Sequence, residues 1–512
     1  MFNKNLLQQF LFISESKPDA IALQNETEQL SYSQLRHNIS KISALYITRG
    51  IQAGDRIALV ISNSIEYVTA FYAAWKIGAI IVALNPKAKF NEIASMLRHC
   101  DAKCLVIDQL KSDMHNQFKP LSIPIITIIE SPLKDVHYWN NAFSLTSNDN
   151  WCIVKQSTVA QIIFTSGTSG NPKGVTLSHG NLMSNVVDVV SYLKLSAKDS
   201  ILNILPFHYC YGNSILHTHF CVGAKIVLSG SMAYPQEIVD SMRHLQVSGF
   251  SGVASTFSLF LSHSDWPTNP PHLRYLTQAG GPMGGQLTKK LLLASHSKTQ
   301  LYVMYGQTEA TARITWLPPS FLSNKGGSVG IPLKQIQLEI RNKQGKPVNN
   351  FQKGEVYIKG PGVMLGYWKN PQASKTVLIN GWLKTGDLGY LDNDGYLFLQ
   401  GRNSDMLKIG AHRINPLELE EIMNQLDFIK ESAVIGIFDE ILGHKLRAYI
   451  VGEESKTNQF AVKKHCNQYL PPHKIPREII WLKQLPKTAS GKIKRYQLNQ
   501  EMESSQNDKH CL

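Results

Sequence analysis

The hydrophobic pattern of the first hundred residues is that of alternating strands and helices. Residues 56–61, 80–84 and 104–107 form short apolar runs typical of buried strands, whereas 66–77 and 90–98 have apolar residues at helical spacing. Strands that alternate with helices in this way usually form a parallel sheet with helices on its faces. The pattern therefore predicts an α/β fold.

Beyond residue 200 the pattern changes in character. Apolar runs up to residue 305 end in glycine or aromatic residues. From 328 to 400, short β runs alternate with Gly, Pro and Asn turns, which predicts a small β-barrel or curled sheet. A polar break follows at 401–405. Beyond it we predict an α+β unit with helices at 416–425 and 460–470 and strands at 431–437 and 446–451.

These changes predict two domains. The N-terminal domain, residues 1–403, would contain two α/β subdomains at about 1–155 and 156–327 and a small β-barrel subdomain at 328–403. The C-terminal α+β domain would comprise residues 404–512. Ligands of open α/β sheets bind beyond the carboxyl ends of the strands. Residues that follow predicted strands are therefore expected to lie together, namely His208, Gly280, Tyr305 and Glu309.

One stretch has the composition of an anion-binding loop. Residues 165–174 follow the apolar run 159–164, precede a segment with helical spacing, and contain three glycines, four hydroxyls and one lysine. Glycines let the backbone approach a ligand closely, and successive N–H groups form a concave anion site. The stretch does not match the P-loop pattern G-x-x-x-x-G-K-[ST]. We predict a strand–loop–helix unit that holds a polyphosphate through Thr165, Ser166, Gly167, Thr168, Ser169, Gly170 and Lys173.

Charge and cysteine content narrow the choice of partners. The net charge of +14 is compatible with a nucleotide, CoA, an acidic carrier protein, nucleic acid or an anionic membrane. The basic residues are spread along the chain, which favours a solvated basic surface over nucleic-acid binding. Seven cysteines without C-x-x-C pairs fit a reducing compartment. His217, His219 and Cys221 would share one face of a strand, where they would either bind a metal or simply pack.

No segment predicts secretion or a membrane span. The N-terminal apolar stretch is interrupted by Gln8 and Gln9, unlike a secretory signal. The longest apolar stretch, 70–84, contains Lys76 and is shorter than the roughly 20 residues that span a bilayer. We expect a cytoplasmic protein without a transmembrane segment.

Five motifs occur along the chain in a fixed order. They are the phosphate loop, YGQTE at 305–309, TGD at 385–387, GR at 401–402 with KIG at 408–410, and PKTASGK at 486–492. In this order they resemble the adenylate-forming superfamily, which includes acyl-CoA synthetases, the adenylation domains of peptide synthetases and firefly luciferase. Residues 20–150 also look like the N-terminal subdomain of that family. The resemblance covers most of the chain.

The resemblance implies a reaction in two steps. A carboxylate attacks the α-phosphate of Mg·ATP to give acyl-AMP and pyrophosphate. A thiol, of CoA or of a carrier-protein phosphopantetheine, then displaces AMP. Because a carboxylate and a triphosphate repel each other, the first step needs fixed positive charge and hydrogen-bond donors.

The resemblance also implies a role for each motif residue. The phosphate loop would hold the β- and γ-phosphates, Glu309 would bind Mg²⁺ through a hard oxygen, and Thr308 would donate to the α-phosphate. Tyr305 would lie against the adenine, and Asp387 would accept hydrogen bonds from the ribose hydroxyls with the help of Arg402. The expected nucleotide contacts outside the loop are Gly280, Gly281, Tyr305, Gly306, Asp387 and Arg402.

The C-terminal domain is expected to be mobile, as in the family. Lys492 would reach the α-phosphate and the carboxylate in the first step. After a rotation, the region of Gly410 would face the site for thioester formation, where a missing side chain leaves room for pantetheine. Ser404 stands at the hinge position, where the family usually has Asp or Lys.

The acid is predicted to be fatty or aryl. The segment 205–214 contains no acidic residue that could pair with an ammonium group, which disfavours an α-amino acid. His208 would gate the acyl tunnel, so we group it with Lys492, Glu309 and Thr308 as catalytic. The expected lining of the acyl pocket is His208, Tyr209, Cys210, Tyr211, Ser214, Gly252, Val253, Phe257 and Gly280.

An acyl-CoA synthetase is the leading functional hypothesis. The alternatives are an acyl-AMP ligase that loads an acyl or peptidyl carrier protein, a luciferase-like monooxygenase, and a nucleotide-binding protein without catalytic activity. Glu309, Asp387 and Lys492 argue against the last of these, because all three occur in their motifs.

Overall fold

The structure is a computed structural model that describes residues 2–3, 5–110, 112–133, 135–165, 172–229, 232–266, 272–402, 407–409, 412–439, 443–487, 493–495 and 497–498. The helices, in chain order, are α1 (Leu6–Ser16), α2 (Tyr32–Thr48), α3 (Ile65–Lys76), α4 (Phe90–Cys100), α5 (Ser112–Phe118), α6 (His179–Leu193), α7 (Cys210–Val222), α8 (Pro235–His244), α9 (Ala254–His263), α10 (Gly285–Ala294), α11 (Pro371–Val377), α12 (Pro416–Met423) and α13 (Lys456–Tyr469).

Short strands make up the rest of the regular structure. In chain order they are β1 (Ile21–Gln24), β2 (Gln29–Ser31), β3 (Arg56–Val60), β4 (Ile80–Ala83), β5 (Ala102–Ile107), β6 (Ile125–Thr127), β7 (Val136–Tyr138), β8 (Val159–Thr165), β9 (Lys173–Ser178), β10 (Ser200–Leu202), β11 (Lys225–Val227), β12 (Gly249–Gly252), β13 (Tyr275–Gln278), β14 (Gln300–Tyr305), β15 (Thr315–Leu317), β16 (Ile331–Pro332), β17 (Gln337–Arg341), β18 (Gly354–Lys359), β19 (Gly366–Tyr367), β20 (Leu378–Ile379), β21 (Trp382–Leu391), β22 (Leu397–Arg402), β23 (Leu407–Ile409), β24 (His412–Ile414), β25 (Ile429–Asp439), β26 (Gly443–Gly452) and β27 (Glu478–Leu482).

Two large sheets form the N-terminal part of the described chain. One is eight-stranded, in the order β19-β9-β8-β4-β3-β5-β6-β7, and the other is nine-stranded, in the order β16-β15-β14-β13-β12-β10-β11-β1-β2. The pairs β3–β4, β3–β5 and β4–β8 are parallel, as are β10–β12, β12–β13 and β13–β14. The predicted α/β class is therefore confirmed.

Membership of these sheets does not follow chain order. The early strands β1 and β2 belong to the nine-stranded sheet, next to β11. The hairpin β8–β9 belongs to the eight-stranded sheet, and β19 joins it from nearly 190 residues later in the chain. Segments that are distant in sequence thus meet at the edge where the phosphate loop begins.

Helix α3 is buried along its whole length. It begins at Ser64, whose side chain accepts a hydrogen bond from the Tyr67 backbone, and a left-handed Gly78 (φ 77°) follows its last turn. Its aromatic side chains Phe71 and Trp75 contact the ring of His217 in α7. A helix that is buried on nearly all sides belongs to the interior of a large domain, and α3 packs against α7 there.

The phosphate-loop region differs from its prediction in one respect. A second strand, β9, follows the loop and pairs antiparallel with β8, with Thr165 opposite Lys173. Helix α6 begins only after it, with Ser178 and Asn181 forming a capping box. The predicted strand–loop–helix unit is therefore wrong and is a strand–loop–strand–helix unit. Residues 173–178 are drawn into the sheet because they pair with both β8 and β19.

His217, His219 and Cys221 lie on helix α7 and not on a strand, so the strand face on which they could have bound a metal is not formed. His217 Nδ1 lies 3.1 Å from the Tyr72 hydroxyl. His219 Nε2 lies 2.7 Å from the Tyr275 hydroxyl, and its Nδ1 lies 2.8 Å from the Ile215 carbonyl oxygen. These histidines are packing residues with tyrosine partners. Over the described ranges, no three His, Cys, Asp or Glu side chains converge as metal ligands.

Smaller sheets follow the two large ones. Within the described residues, β17-β18-β21-β20 with β22 on β21 forms a five-stranded sheet from short β runs of the predicted third subdomain, whereas β16 and β19 from the same range belong to the two large sheets. The C-terminal strands β25, β26 and β27 form a three-stranded sheet with α12 and α13 against it. No helix in the described part of the chain is both long and apolar enough to traverse a lipid bilayer.

Candidate active site

The predicted motif residues at 305–309 lie where β14 ends. Tyr305 is the last residue of this strand, and a 3-10 turn at Thr308–Ala310 follows. A side chain at Gly306 would collide with the carbonyl oxygen of Ala312, so only glycine permits so tight a turn here. The turn is thereby held at the carboxyl end of a parallel strand, the edge at which α/β sheets bind ligands.

Tyr305 is hydrogen-bonded to a carboxylate of another sheet. Its hydroxyl donates to Asp387 Oδ2 at 2.6 Å, and Asp387 is only 7% exposed. Gly386 has a φ of 80°, and the Asp387 N–H donates to Thr385 Oγ1 at 3.1 Å, which fixes the direction of the carboxylate. The bond places a flat ring and a hydrogen-bond acceptor side by side, which is the pair that a nucleoside requires.

Glu309 and Lys173 meet at a residue that the sequence analysis did not single out. The Tyr367 hydroxyl donates to Glu309 Oε1 at 3.0 Å, and Lys173 Nζ lies 5.1 Å from the centre of the Tyr367 ring. Tyr367 is positioned by strand pairing with Val175, and the Met364 N–H donates to the Glu309 carbonyl oxygen at 2.9 Å. Tyr367 therefore orients the proposed metal ligand next to a phosphate-binding cation.

This arrangement fits a magnesium nucleotide. Glu309 presents a carboxylate oxygen, the type of ligand that Mg²⁺ prefers. Lys173 opens β9 directly after the phosphate loop and adds positive charge on the same side. When bound, Mg²⁺ would neutralise charge on the phosphate oxygens.

Several predicted residues fall outside the described ranges, and these stay predictions. They are Ser166, Gly167, Thr168, Ser169, Gly170, Ser404, Gly410 and Lys492. Arg402 is described only through its backbone, which pairs with Asp387 between β22 and β21. Strand pairing thus brings the backbones of two predicted ribose-binding residues together, although they come from different motifs.

The predicted acid-binding residues lie around the ends of β12 and β13. His208 is 7% exposed, and its Nε2 has no hydrogen-bond partner among the described residues. Burial lowers the pKa of His208 to about 4, so the imidazole is neutral at physiological pH. Gly280 has a φ of 88°, in the left-handed region that favours glycine, and Gln278 Nε2 donates to the Gly281 carbonyl oxygen at 2.8 Å.

The other side of this region is polar. The Tyr211 hydroxyl donates to the Thr277 carbonyl oxygen at 3.0 Å, and Thr277 Oγ1 lies 2.6 Å from Ser251 Oγ. Phe257 is fully buried against Phe250 and belongs to the apolar core beside the sheet. The region therefore offers a mixture of aromatic and hydroxyl groups.

Comparison with known proteins decides the family. The sequence profile described as "AMP-binding enzyme" matches residues 13–368, and that of the "AMP-binding enzyme C-terminal domain" matches residues 418–492. The chain belongs to the AMP-binding enzyme family. The resemblance to adenylate-forming enzymes is thus confirmed, and with it the prediction of an enzyme.

Full-length relatives and solved structures agree with this assignment. A 2-succinylbenzoate–CoA ligase of Bacillus cereus (strain Q1) is 31% identical over 505 residues, 98% of each chain. The o-succinylbenzoate CoA synthetase of Bacillus subtilis, in complex with the acyl-adenylate OSB-AMP, is 27% identical with a TM-score of 0.85, covering 97% of this chain and 98% of that one. Its complex with ATP and magnesium is 27% identical with a TM-score of 0.84, covering 97% of this chain and 100% of that one.

The predicted reaction is confirmed at this level. The chain is an AMP-forming acid–thiol ligase that uses ATP, with Mg²⁺ as cofactor, to activate a carboxylic acid to acyl-AMP and transfers the acyl group to CoA. An enzyme with this reaction needs a site where the nucleotide, the metal and the acid meet. Tyr305, Glu309 and Asp387 lie together at the carboxyl end of β14, which provides such a site.

Proposed function

We propose that the acid is 2-succinylbenzoate or a close aryl relative, not a fatty acid. The observation that carries this proposal is 30–31% identity to 2-succinylbenzoate–CoA ligases along 98% of the chain. The polar lining around Tyr211 and Thr277 supports it, because a keto aryl acid presents acceptors along its length.

We assign the following roles to the site residues. Tyr305 lies against the adenine, and Asp387 and Arg402 bind the ribose. Gly280, Gly281 and Gly306 let the backbone approach the nucleotide. The loop, made of Thr165, Ser166, Gly167, Thr168, Ser169, Gly170 and Lys173, holds the β- and γ-phosphates. Tyr367 joins this set, since it orients Glu309.

The first step is an electrostatic problem. The acid's carboxylate approaches a phosphorus atom surrounded by negative oxygens, so positive charge must already stand in place. Thr308 and Lys492 donate to the α-phosphate, and Lys173 holds the pyrophosphate that leaves. Neutral His208 closes the acyl side without adding charge. Removing one such donor typically lowers the rate by about 10²–10³-fold.

We propose that residues 404–512 act as a separate mobile domain behind an N-terminal domain of residues 1–403. It would bring Lys492 for adenylation and Gly410 for thioester formation, with Ser404 as the pivot. We propose that CoA is preferred as acceptor over the alternative, a carrier-protein phosphopantetheine. A cytoplasmic location is part of the proposal, and the six cysteines in the described residues are all free thiols.

Acid-dependent ATP–pyrophosphate exchange tests the first half of the proposal. We expect exchange with 2-succinylbenzoate to exceed that with benzoate, fatty acids and amino acids, and exchange only with fatty acids would contradict it.

Lys492→Ala should nearly abolish exchange yet still form thioester from supplied acyl-AMP. Equal loss of both reactions would contradict the two-conformation scheme. Offering CoA and a phosphopantetheinylated carrier to preformed acyl-AMP identifies the acceptor.

A further inference from the structure

Arg313 is a buried cation beside the acid-binding region. It is 3% exposed, and its Nε and Nη1 have no hydrogen-bond acceptor among the residues that the structure describes. Within the same ranges no carboxylate forms an ion pair with it. Arginine is rarely buried in this way unless it is paired, because an isolated charge in a low-dielectric interior is unfavourable. None of the five motifs gives Arg313 a role in the nucleotide site.

The guanidinium is held by neutral groups. It lies over the Tyr211 ring, 4.3 Å from the centroid, and the Asn185 side chain donates to the Arg313 carbonyl oxygen at 2.8 Å. Burial raises the pKa of the Tyr192 hydroxyl, and the positive charge of Arg313 acts against that rise, which marks Tyr192 as a second neighbour. The ring contact orients the guanidinium and the Asn185 bond holds the backbone, but neither compensates the charge.

The position of Tyr211 connects Arg313 to the acid. Tyr211 stands in the first turn of α7, three residues after His208, and its hydroxyl is fixed to Thr277. Thr277 directly precedes Gln278, whose side chain reaches Gly281. The guanidinium therefore packs directly against a residue assigned to the acyl pocket.

We propose that Arg313 binds a second anionic group of the acid, a carboxylate on the part of the molecule that is not activated. The inference rests on the proposed function, and it narrows the substrate class to dicarboxylic aryl acids. The guanidinium matches a carboxylate in charge, and its Nε and Nη1 have N–H groups free to donate to a carboxylate oxygen. Arg313 would then select the acid without touching the reacting phosphorus.

A matched pair of acids tests the inference directly. 2-Succinylbenzoate and 4-oxo-4-phenylbutanoate differ only in the carboxylate on the ring. In ATP–pyrophosphate exchange, wild-type kcat/KM should favour the diacid by about 100-fold or more, because a site with a buried unpaired charge rejects the analogue that lacks its partner. Arg313→Met should bring the ratio close to one, mainly through loss with the diacid.

Two further variants separate charge from folding. Arg313→Lys keeps the charge but not the planar guanidinium, so it should retain part of the preference for the diacid. Arg243→Met makes the same chemical change at a surface arginine that pairs with Asp240 and Asp265, and its ratio should equal that of wild type. If Arg313→Met does not fold, the wild-type ratio and the lysine variant still decide the matter.

Failure of the inference and failure of the proposed function give different results. Equal use of both acids by wild type, or an unchanged ratio in Arg313→Met, overturns the role of Arg313 and leaves the ligase intact. Exchange with neither acid rejects the proposed substrate. The role of Arg313 is then tested on a wider panel of acids, and it is rejected if no diacid has a higher kcat/KM than its monoacid partner. Calorimetric binding of the same pairs of acids gives an independent measurement.

Discussion

Two arginines at opposite ends of the parallel strands of the nine-stranded sheet are both held against tyrosine rings. We call these two ends the amino edge and the carboxyl edge, after the strand termini that lie there. Arg274 precedes β13 at the amino edge, 4.8 Å from the Tyr275 ring centre, and donates from Nε and Nη2 to Asp199 Oδ1 at 3.0 and 2.9 Å. Arg313 precedes β15 at the carboxyl edge, 4.3 Å from the Tyr211 ring centre. Over the described residues, Arg313 has no acidic partner of this kind.

The difference separates structure from function. At the amino edge the ionic network is complete, since Ser196 and Ser248 also donate to Asp199. Burial alone would raise the pKa of Asp199, but the Ser196 hydrogen bond and the charge of Arg274 outweigh it and hold the pKa below its usual value. At the carboxyl edge, polar groups face the place where ligands bind. Substitutions at the amino edge should therefore change stability, and those at the carboxyl edge should change catalysis.

Glu309→Gln should have the largest effect, and on catalysis alone. It removes the charge that would hold Mg²⁺, so exchange should fall by about 10³-fold, within the range seen for lost transition-state charge stabilisation. The free energy of unfolding should change by no more than about 0.5 kcal/mol, because the amide can still accept from Tyr367. Exchange kinetics and urea unfolding measure the two quantities.

The matched control is Glu339→Gln, a glutamate that pairs with Arg341 far from the motif residues in the sequence. Exchange should stay at the wild-type rate in this variant. A large loss of stability in Glu309→Gln would break the comparison, because the carboxyl edge would then be structural as well.

Asp199→Asn tests the opposite edge. It leaves the Arg274 guanidinium without its counter-charge, so the free energy of unfolding should fall by about 3 kcal/mol, at the low end for such pairs because Arg274 is 35% exposed. The kcat of the folded enzyme should not change. Arg313→Met should leave the free energy of unfolding unchanged or higher, and an equal loss in both variants would remove the distinction between the edges.

The loss of stability in Asp199→Asn should depend on pH, and the direction follows from the pKa of Asp199. Because the folded-state pKa of Asp199 is lowered, its carboxylate stabilises the protein at neutral pH. This contribution disappears as the pH falls from about 4, the usual pKa of aspartate, through the folded value. The gap between wild type and Asp199→Asn should therefore close in acid, as measured by urea unfolding at several pH values.

Motifs and periodicity predicted much of this molecule. The alternating pattern gave the parallel core of both large sheets, and the order of five motifs selected residues that the structure brings together, such as Tyr305 with Asp387. Such predictions succeed because strand ends and turn residues are local properties. The switch from β8 through the loop to β9 was missed because β9 becomes a strand only through partners on both sides.

Other features depend on contacts that sequence patterns do not reveal. His217 and His219 alternate as they would on a strand, yet their helix is set by burial against α3 and β13. Tyr367 meets Glu309 from 58 residues away. Arg313 gains its meaning only from what surrounds it, since a lone arginine after a motif usually faces solvent. An unpaired buried charge is recognised because no partner lies next to it, and this is seen only in the three-dimensional structure.

Tyr305→Phe sharpens the comparison within the carboxyl edge. It removes the donor to Asp387 but keeps the ring, so the KM for ATP should rise by about fivefold to tenfold, as for the loss of one ordinary hydrogen bond. The KM for the acid should stay constant, which initial-rate kinetics would verify. A change in the acid's KM alone would mean that Tyr305 contacts the acid and not the nucleotide.

Substitution of His208 should give the smallest effect on the pH dependence of activity. Between pH 6 and 8 the kcat/KM should show no inflection from the ionisation of this histidine. Its pKa of about 4 is below the ordinary value of about 6.5, so the imidazole of the free enzyme stays neutral from pH 6 to 8. The ratio of kcat/KM between wild type and His208→Gln should therefore be constant over that range. A tenfold change with an apparent pKa between 6 and 7 would contradict neutrality and would make His208 an acid–base group.

The same pKa predicts how His208 affects stability. Between about pH 6.5 and 4 the unfolded chain binds a proton at this residue and the folded chain does not, so acid destabilises wild type relative to His208→Gln. Titration of His208 by NMR distinguishes this residue from His219, whose pKa is also lowered to about 4 by burial but which has Tyr275 as its partner. If a bound diacid raises the pKa of His208 and leaves that of His219 unchanged, the carboxyl edge is the one that senses the ligand's charge.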